Sequence, residues 1–375
     1  MTVLLFTGLC AGLLYLLQGW LYEYFWKKNL SADVVFMERA IVEGETGRIQ
    51  ETIINAKLLP LPMVRVKFEI DRRLRFEGEG NLSVSDKCYK NDIFSIMLYQ
   101  KITRTIPFQG TKRGYYSIDQ MDLVSTDLFM KATLVGIWSV YTRLLVYPRG
   151  VDTKRLLIPY RKVMGTLLTR RSSYEDPFEF RGVRAYQPFD SMRDVNWKLS
   201  AKTGELKVNM HDYTARQEVF LLLNLETEAM LEYEELKEES IRIVNSLAEW
   251  FLAQGIAVGL LSNGRDIETK EELYIVSGSG KNHISYIREQ LARLDLSQEC
   301  REYGTVLKEQ LEEQREKPLY ILVSTSQREN IQQEFDKLCK KSKGSMWILP
   351  LYPDMKERLS HCPFAEYYRW EVEDG

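Results

Sequence analysis

The chain opens with an uninterrupted apolar run. Thr2 to Tyr22 carries no charged side chain, and apolar residues would occupy every face of a helix formed by this run. About twenty apolar residues are enough to cross a bilayer as an α-helix. Aromatic residues cluster at the end of the run, as is typical of a membrane–water interface: Trp20, Tyr22, Tyr24 and Trp26. The pattern predicts a transmembrane anchor over residues 1–28.

Lys27 and Lys28 set the expected orientation of this anchor. They follow the run directly, and basic residues favour the cytoplasmic side of a membrane. No lysine or arginine precedes the run, which argues against a cleaved signal peptide. We therefore expect a retained single-pass anchor in the cell membrane, with the soluble domains in the cytoplasm. A buried core helix is the alternative interpretation.

Alternation with a period of two follows, from about residue 31 to residue 150. In the segment VRVKFEI, Val64, Val66, Phe68 and Ile70 share one face. Turn residues separate such segments, as at 43–45 (EGE). Several short strands with frequent turns predict an antiparallel β-sandwich over residues 31–150.

The pattern changes again near residue 218, where apolar strands alternate with amphipathic helices. Val219–Leu225 is a continuous apolar run, typical of a strand covered on both faces. Ile243, Leu247 and Phe251 then share one side of a helix, and Gly255 is expected to end it. The alternation predicts a doubly wound α/β domain over residues 218–375, so the fold class is α+β multidomain. Residues 151–217 would connect the two domains.

Composition excludes several classes of function. The 51 basic and 53 acidic residues nearly balance, which argues against bulk capture of nucleic acid. Five cysteines at wide spacings, with no C-x-x-C, favour reduced thiols over a disulfide framework or a zinc site. The three histidines are scattered. We therefore predict neither a catalytic residue nor a cofactor.

The segment RAYQPFDSMRDVNWKLSAKTGEL, residues 184–206, is the most specific in the chain. It resembles the signature of the bacterial proteins grouped as domain of unknown function 58. Phe189 stands in place of the usual glycine, and Lys202 in place of the usual arginine. The other positions in register are Arg184, Tyr186, Pro188, Asp190, Arg193, Val195, Trp197, Ser200 and Ala201.

The resemblance implies an architecture and a set of partners. The architecture is an N-terminal membrane anchor, a β domain and a von Willebrand factor A-like domain. Members of the family commonly sit beside MoxR-type AAA+ ATPases and transglutaminase-like membrane proteins. The resemblance therefore implies an adaptor in such an assembly, supporting assembly or maturation of other proteins.

Charges and an indole dominate the signature segment. Arg184, Asp190, Arg193 and Asp194 can form bidentate, charge-assisted pairs, and we expect Trp197 to be a buried anchor beside them. One interpretation is a polar network that fixes the junction of the two domains. A recognition surface for a partner protein is the second. A catalytic role is the third, although the segment has no histidine and no evident nucleophile–base pair.

The von Willebrand factor A resemblance also implies a place for a metal. Such domains often hold magnesium through D-x-S-x-S after the first strand, where hard oxygen ligands converge. Here Asn224 replaces the aspartate and Glu226 the first serine, with Thr227 beside it. Because the pattern is broken, we predict no bound metal.

The sequence thus predicts a membrane-anchored, non-enzymatic scaffold or adaptor that works with a MoxR-type AAA+ ATPase and other membrane proteins. Two alternatives stay open. One is a hydrolase whose site is assembled in space without a local motif. The other is an exported, adhesion-type binding domain, which requires the opposite orientation in the membrane.

Overall fold

The computed structural model describes residues 2–76, 82–84, 88–152, 154–156, 180–187, 192, 195–211, 218–227, 233–313, 318–342, 345–359 and 365–373. It is a mixed α/β structure with an apolar N-terminal helix. The chain divides into two compact units, residues 1–149 with 291–294 and residues 150–290 with 295–375.

Helix α1, Thr2–Phe25, forms where the apolar run predicts it. Within it, Leu4–Phe25 is long and apolar enough to cross a membrane, and its most apolar stretch is not buried inside the protein. A core helix would bury such a stretch against other elements, so the exposure favours a membrane span over that alternative.

The first unit continues with two β-sheets. One has the strand order β1-β3-β8-β5, and the other has the order β2-β10-β9-β4-β7-β6. Buried side chains from both sheets form one hydrophobic core. The strands are β1 (Leu30–Phe36), β2 (Ala40–Val42), β3 (Thr46–Asn55), β4 (Leu61–Ile70), β5 (Leu74–Phe76), β6 (Leu82–Val84), β7 (Cys88–Ile96), β8 (Lys101–Gly110), β9 (Gly114–Thr126) and β10 (Thr133–Tyr147).

The predicted alternation in β4 is confirmed. Val64, Val66, Phe68 and Ile70 are all buried, whereas the residues between them are at least partly exposed. The pairing is not antiparallel throughout, because β2 runs parallel to β10, with Ala40 opposite Leu145. The link between β1 and β2 is too short for a strand of its own, and it carries the chain from one sheet to the edge of the other.

The second unit contains a small two-stranded sheet and a larger sheet with the path β15-β14-β13-β17-β18-β19. Along this path β14, β13, β17, β18 and β19 pair in parallel, and the edge strand β15 is antiparallel. The strands are β11 (Phe180–Ala185), β12 (Lys207–His211), β13 (Glu218–Asn224), β14 (Ala257–Asp266), β15 (Glu272–Gly278), β16 (Leu294–Asp295), β17 (Leu319–Ser324), β18 (Ser345–Leu351) and β19 (Ala365–Glu371). The helices are α2 (Trp197–Thr203), α3 (Glu234–Ala253), α4 (Lys281–Arg293), α5 (Tyr303–Glu313) and α6 (Glu329–Lys341). Residues 291–294, at the end of α4 and the start of β16, belong to the first unit.

The apolar stripes of these helices pack as the periodicity predicts. Side chains from α5 and α6 join every second residue of β13, Phe220 and Leu222, in one core cluster. Helix α3 contacts the same strand without contributing to that cluster, so helices cover both faces of β13. Gly255 ends α3 in the left-handed region, with φ of 74°, as expected.

Gly259 provides a test of the packing around β14. A Cβ atom there would meet the buried ring of Phe220 and would lie 2.9 Å from Ser277 Oγ. The Phe220 ring cannot retreat, because Tyr274 and Tyr320 lie against it at centroid distances of 6.1 and 6.2 Å. We expect Gly259→Ala to lower the free energy of unfolding by about 1–3 kcal/mol.

Urea denaturation of the full chain in detergent would measure this loss. Gly150→Ala is the matched control, because a Cβ there makes only an ordinary contact at 3.6 Å. Equal stability of the two variants would contradict the packing described for β14.

Candidate functional site

Polar side chains lie together where the strand order of the larger sheet reverses. Strand β13 lies between β14, the next strand along the chain, and β17, which follows later in the chain. The strand order therefore reverses at β13. In parallel sheets, such a reversal leaves a crevice at the carboxyl ends of the strands, where ligands commonly bind. Asn224, Asn263 and Ser324 occupy these ends in β13, β14 and β17, and all three are fully or almost fully buried.

Hydrogen bonds tie these three side chains to one another. Asn224 Nδ2 donates to Ser324 Oγ at 3.0 Å, and Asn263 Nδ2 donates to Asn224 Oδ1, also at 3.0 Å. The backbone N–H groups of Leu225 and Glu226 donate to Asn263 Oδ1 and Asn224 Oδ1, both at 2.9 Å. The Asn224 oxygen, which replaces a metal ligand of the resembled pattern, therefore already accepts two hydrogen bonds.

Glu226 has a cationic partner from the chain itself. Its Oε1 accepts from Arg328 Nη1, and its Oε2 accepts from the Tyr303 N–H at 3.1 Å. Arg328, just before α6, also donates to the Thr227 carbonyl at 3.3 Å. The guanidinium thus neutralises a nearly buried carboxylate at the position where the resemblance implies a divalent cation.

The sequence-predicted metal positions therefore come together, with an arginine among them. Because they lie where the strand order reverses, we refer to Asn224, Glu226, Asn263, Ser324 and Arg328 as the switch-point network. Within the described ranges, no group of three or more histidine, cysteine, aspartate or glutamate side chains is placed to hold a metal ion. The absence of a bound metal stays a prediction, and the Arg328–Glu226 pair gives it a physical reason. Arg328 lies 102 residues from Glu226, so sequence reasoning missed it.

The family signature forms a small separate element. Strands β11 and β12 pair through Arg184 and Val208, and the Tyr186 N–H donates to the Leu206 carbonyl at 2.9 Å. Val195 bridges to Val208, and both side chains are buried. These contacts fix where α2 begins.

Helix α2 is capped at both ends. Asn196 Oδ1 accepts the Leu199 N–H at 3.0 Å, and Gly204 ends the helix with φ of 76°. The buried Ser200 hydroxyl accepts the Lys207 N–H at 2.8 Å and joins α2 to β12. Sequence reasoning missed Asn196, although an asparagine just before a helix is a typical N-cap signal.

The prediction of a buried Trp197 is wrong. Its side chain is 60% exposed, at the first position of α2 beside the Asn196 cap, although Ser200 one turn later is buried. Ala201 and Lys202 are also exposed, whereas Tyr186 is half-buried. Pro188, Asp190, Arg193 and Asp194 lie outside the described residues, so the predicted ion-pair network stays a prediction.

The first unit contains a polar cluster that the sequence analysis did not identify. Glu51 in β3 and Asp92 in β7 are each 1% exposed and face the core from different sheets. Lys90 lies 3.4 Å and Arg104 lies 2.8 Å from the Asp92 oxygens. The sequence signal was available, because Glu51 takes an inward position between Ile49 and Ile53.

Burial and the neighbouring Asp92 charge raise the pKa of Glu51 to about 8, although Lys90 and Arg104 act in the opposite direction. Neither Glu51 oxygen has a donor among the described residues. A protonated Glu51 can itself donate to Asp92, which accounts for two neighbouring carboxyl groups in one core.

The comparisons with known proteins support the signature. Residues 182–343 match the family described as "Protein of unknown function DUF58". The DUF58 resemblance is confirmed over this region. The match covers less than half of the 375 residues, and it includes the signature element and the switch-point network, from Asn224 to Arg328. A comparison with curated protein sequences finds no match.

Solved structures resemble parts of the chain only distantly. A CARDB domain from Pyrococcus furiosus is 14% identical, covers 32% of this chain and 96% of its own, and has a TM-score of 0.20. A non-cellulosomal cohesin from Archaeoglobus fulgidus is 10% identical, covering 31% and 91%, with a TM-score of 0.22. The sporulation control protein Spo0M from Bacillus subtilis is 9% identical, covering 42% and 58%, with a TM-score of 0.19. These likenesses carry no argument about function.

The Arg328–Glu226 pair leads to a stability prediction. Arg328→Met leaves a nearly buried carboxylate without its cation. We expect the free energy of unfolding to fall by about 1–3 kcal/mol, a loss limited by the partial exposure of the guanidinium. Adding Glu226→Gln to the Arg328→Met variant removes the carboxylate charge that was left unpaired. A double-mutant cycle, measured by urea denaturation, should therefore show a coupling of about 0.5–2 kcal/mol.

Lys337 and Glu334 provide the matched control on helix α6. They form an ion pair at 2.7 Å in which the lysine is largely exposed, so their coupling should be close to zero. Equal coupling in the two cycles would show that Arg328 is only a surface cation.

Glu51 leads to a pH prediction. Its ordinary pKa is 4.5, and between pH 4.5 and about 8 the native chain keeps a proton that the unfolded chain has lost. The free energy of unfolding should therefore fall as pH rises through this window, by roughly 2–4 kcal/mol.

Glu51→Gln should flatten this pH dependence, as measured by urea denaturation between pH 5 and pH 9. Glu69→Gln, on the exposed face of β4, should keep the wild-type slope, and a wild-type slope in Glu51→Gln would contradict the assignment.

Proposed function

We propose that this chain is a membrane-anchored adaptor without enzymatic activity. It consists of a single-pass anchor, a β-sandwich and a von Willebrand factor A-like domain, with the soluble part in the cytoplasm. Support comes from the exposed apolar helix α1, from the two sheets that share one core, and from the parallel sheet with its switch-point network.

The exposed indole of Trp197 is the observation that carries this proposal. Large aromatic side chains that are both exposed and rigidly held are typical centres of protein–protein interfaces. The backbone that carries Trp197 is fixed, because Asn196 caps its helix and Ser200 joins the helix to β12. The segment with the strongest family signal therefore presents a binding side chain.

The switch-point network supports a binding role over catalysis. Its carboxylate is paired with Arg328, and its amide oxygens accept hydrogen bonds from the backbone and from each other. A hydrolytic site needs a nucleophile with a free partner base, or a metal with an open coordination position. Internal pairing of this kind instead stabilises the end of the sheet.

The expected partner follows from the family resemblance. Proteins of the resembled family commonly sit beside MoxR-type AAA+ ATPases and other membrane proteins, so we propose such an ATPase as the partner at Trp197. An adaptor fixed in the membrane would hold the ATPase at the membrane surface, where its other client proteins are assembled or matured.

The proposal predicts that Trp197→Ala weakens capture of the ATPase. The full chain would be extracted gently from its own membranes, with and without ATP, and the co-purifying ATPase quantified by mass spectrometry. Loss of a central aromatic anchor should reduce recovery of the ATPase by at least about tenfold. The melting temperature should change little, because the indole is mainly exposed.

Tyr286→Ala is the matched control, since it removes another exposed aromatic side chain from α4 in the same unit. It should leave recovery of the ATPase unchanged. Wild-type recovery with Trp197→Ala, or an equal loss with Tyr286→Ala, would contradict a specific interface at the signature element.

A further inference from the structure

Three loops of the first unit lie at the end from which α1 leaves. Asn55, at the end of β3, donates through Nδ2 to the carbonyls of Leu59 and Met97, both at 2.9 Å. The Tyr99 N–H donates to the Lys57 carbonyl at 3.3 Å. We refer to these as the helix-end loops, residues 56–60, 97–101 and 127–132.

Helix α1 runs along these loops and does not simply project from them. Tyr22 Oη donates to the Pro60 carbonyl at 2.8 Å, and Gln18 Nε2 donates to Asp127 Oδ2 at 3.0 Å. Further up the helix, the Tyr15 ring lies 5.5 Å from the Phe129 ring. Tyr15 precedes the last residue of α1 by ten positions, which corresponds to about 15 Å along the helix axis.

Apolar side chains dominate the exposed surface of the helix-end loops. Each member of this set is between 47% and 73% exposed, and all of them lie in the helix-end loops. Apolar side chains clustered in this way mark a contact with lipid or protein. The set consists of Leu58, Met97, Leu98, Tyr99, Leu128, Phe129 and Met130.

The exposed charges in the loops around this set are basic, and Glu23 near the end of α1 is an exposed acidic residue beside them. In the helix-end loops and the link that follows α1, the exposed basic residues are Lys27, Lys28, Lys101 and Lys131. Asp127, the single acidic residue of these segments, is buried. Its carboxylate accepts from Gln18 and from the N–H groups of Lys131 and Ala132, at 2.7 and 3.0 Å. At this end the four exposed lysines therefore outnumber the exposed carboxylate of Glu23.

The opposite end of the same unit differs in character. Its turns at 37–39 (MER), 43–45 (EGE) and 71–73 (DRR) carry charges of both signs, with Met37 as their exposed apolar residue. The asymmetry between the ends is expected for a unit with one end in lipid and the other in water.

We propose that the helix-end loops insert into the membrane, with their apolar side chains at the boundary between headgroups and acyl chains. The occupant of this surface is the lipid bilayer, because the surface is continuous with α1 and its Phe129 loop contacts α1 at the depth of Tyr15. The surrounding lysines would lie among anionic headgroups. This inference rests on the proposed membrane anchoring of α1.

Spin-label depth measurements on the full chain in nanodiscs that contain phosphatidylglycerol would test this. Nitroxides at Leu98→Cys and Phe129→Cys would be placed in a background in which the other cysteines are replaced by serine. Arg72→Cys, in the opposite turn, is the aqueous control. Native Cys10, which is exposed on α1, reports on the anchor itself. Collisions with oxygen and with a water-soluble nickel chelate would be measured at each position.

The proposal predicts that the labels at 98, 129 and 10 favour oxygen, whereas the label at 72 favours nickel. Labels at 98 and 129 that behave as the label at 72, with Cys10 in lipid, would overturn the insertion and leave the anchor standing. In that case the loops would be free for a protein partner. A Cys10 label in water would overturn both the anchor and the insertion.

A second measurement needs no substitution, in case the cysteine-free chain does not fold. The native chain would be reconstituted with a lipid that carries a photoactivated carbene on its acyl chain, and the adducts mapped by mass spectrometry. Adducts at 97–101 and 127–132, but not at 43–45 or 71–73, are expected. Equal labelling of both ends, or none at the helix-end loops, would overturn the proposal.

Discussion

The buried ammonium of Lys57 joins the apolar helix to the first β unit, and the membrane account depends on this interaction. Its Nζ donates to the carbonyls of Trp26 and Lys28, at 2.5 and 2.9 Å, just past the end of α1. Carbonyls at a helix end need such partners. Burial lowers the pKa of Lys57 to about 8. Tyr22 and Trp26 are themselves part of the β core, so α1 and the sheets form one packed body.

A second regularity is that buried charges are compensated within the chain. Glu226 is paired with Arg328, and Asp127 is satisfied by Gln18 and the backbone. Desolvated groups without such partners would cost several kcal/mol each, as a rough figure. The features that we propose for other molecules are surfaces of the described residues, namely the indole of Trp197 and the helix-end loops. The proposed adaptor role rests on these surfaces.

Periodic features could be predicted from the sequence, and long-range or orientational features could not. The alternation in β4 and the end of α3 at Gly255 depend only on residues that are close in the sequence, so the hydrophobic pattern predicts both. Arg328 meets Glu226 only after the sheet has formed, and Glu51 meets Asp92 across two sheets. Trp197 was expected to be buried because it is large and apolar, but its exposure depends on how α2 packs against β12, which the local pattern does not contain.

The central claim is that α1 and the first β unit are one body, and hydrogen exchange of the full chain in nanodiscs tests it most directly. The Trp26, Leu30 and Ala56 amides donate to Tyr22, Lys27 and Asn29 at the point where helix meets sheet. These amides should exchange as slowly as those of β4, through the same global opening. If they exchange orders of magnitude faster while β4 stays protected, α1 is a flexible tether and the account is wrong.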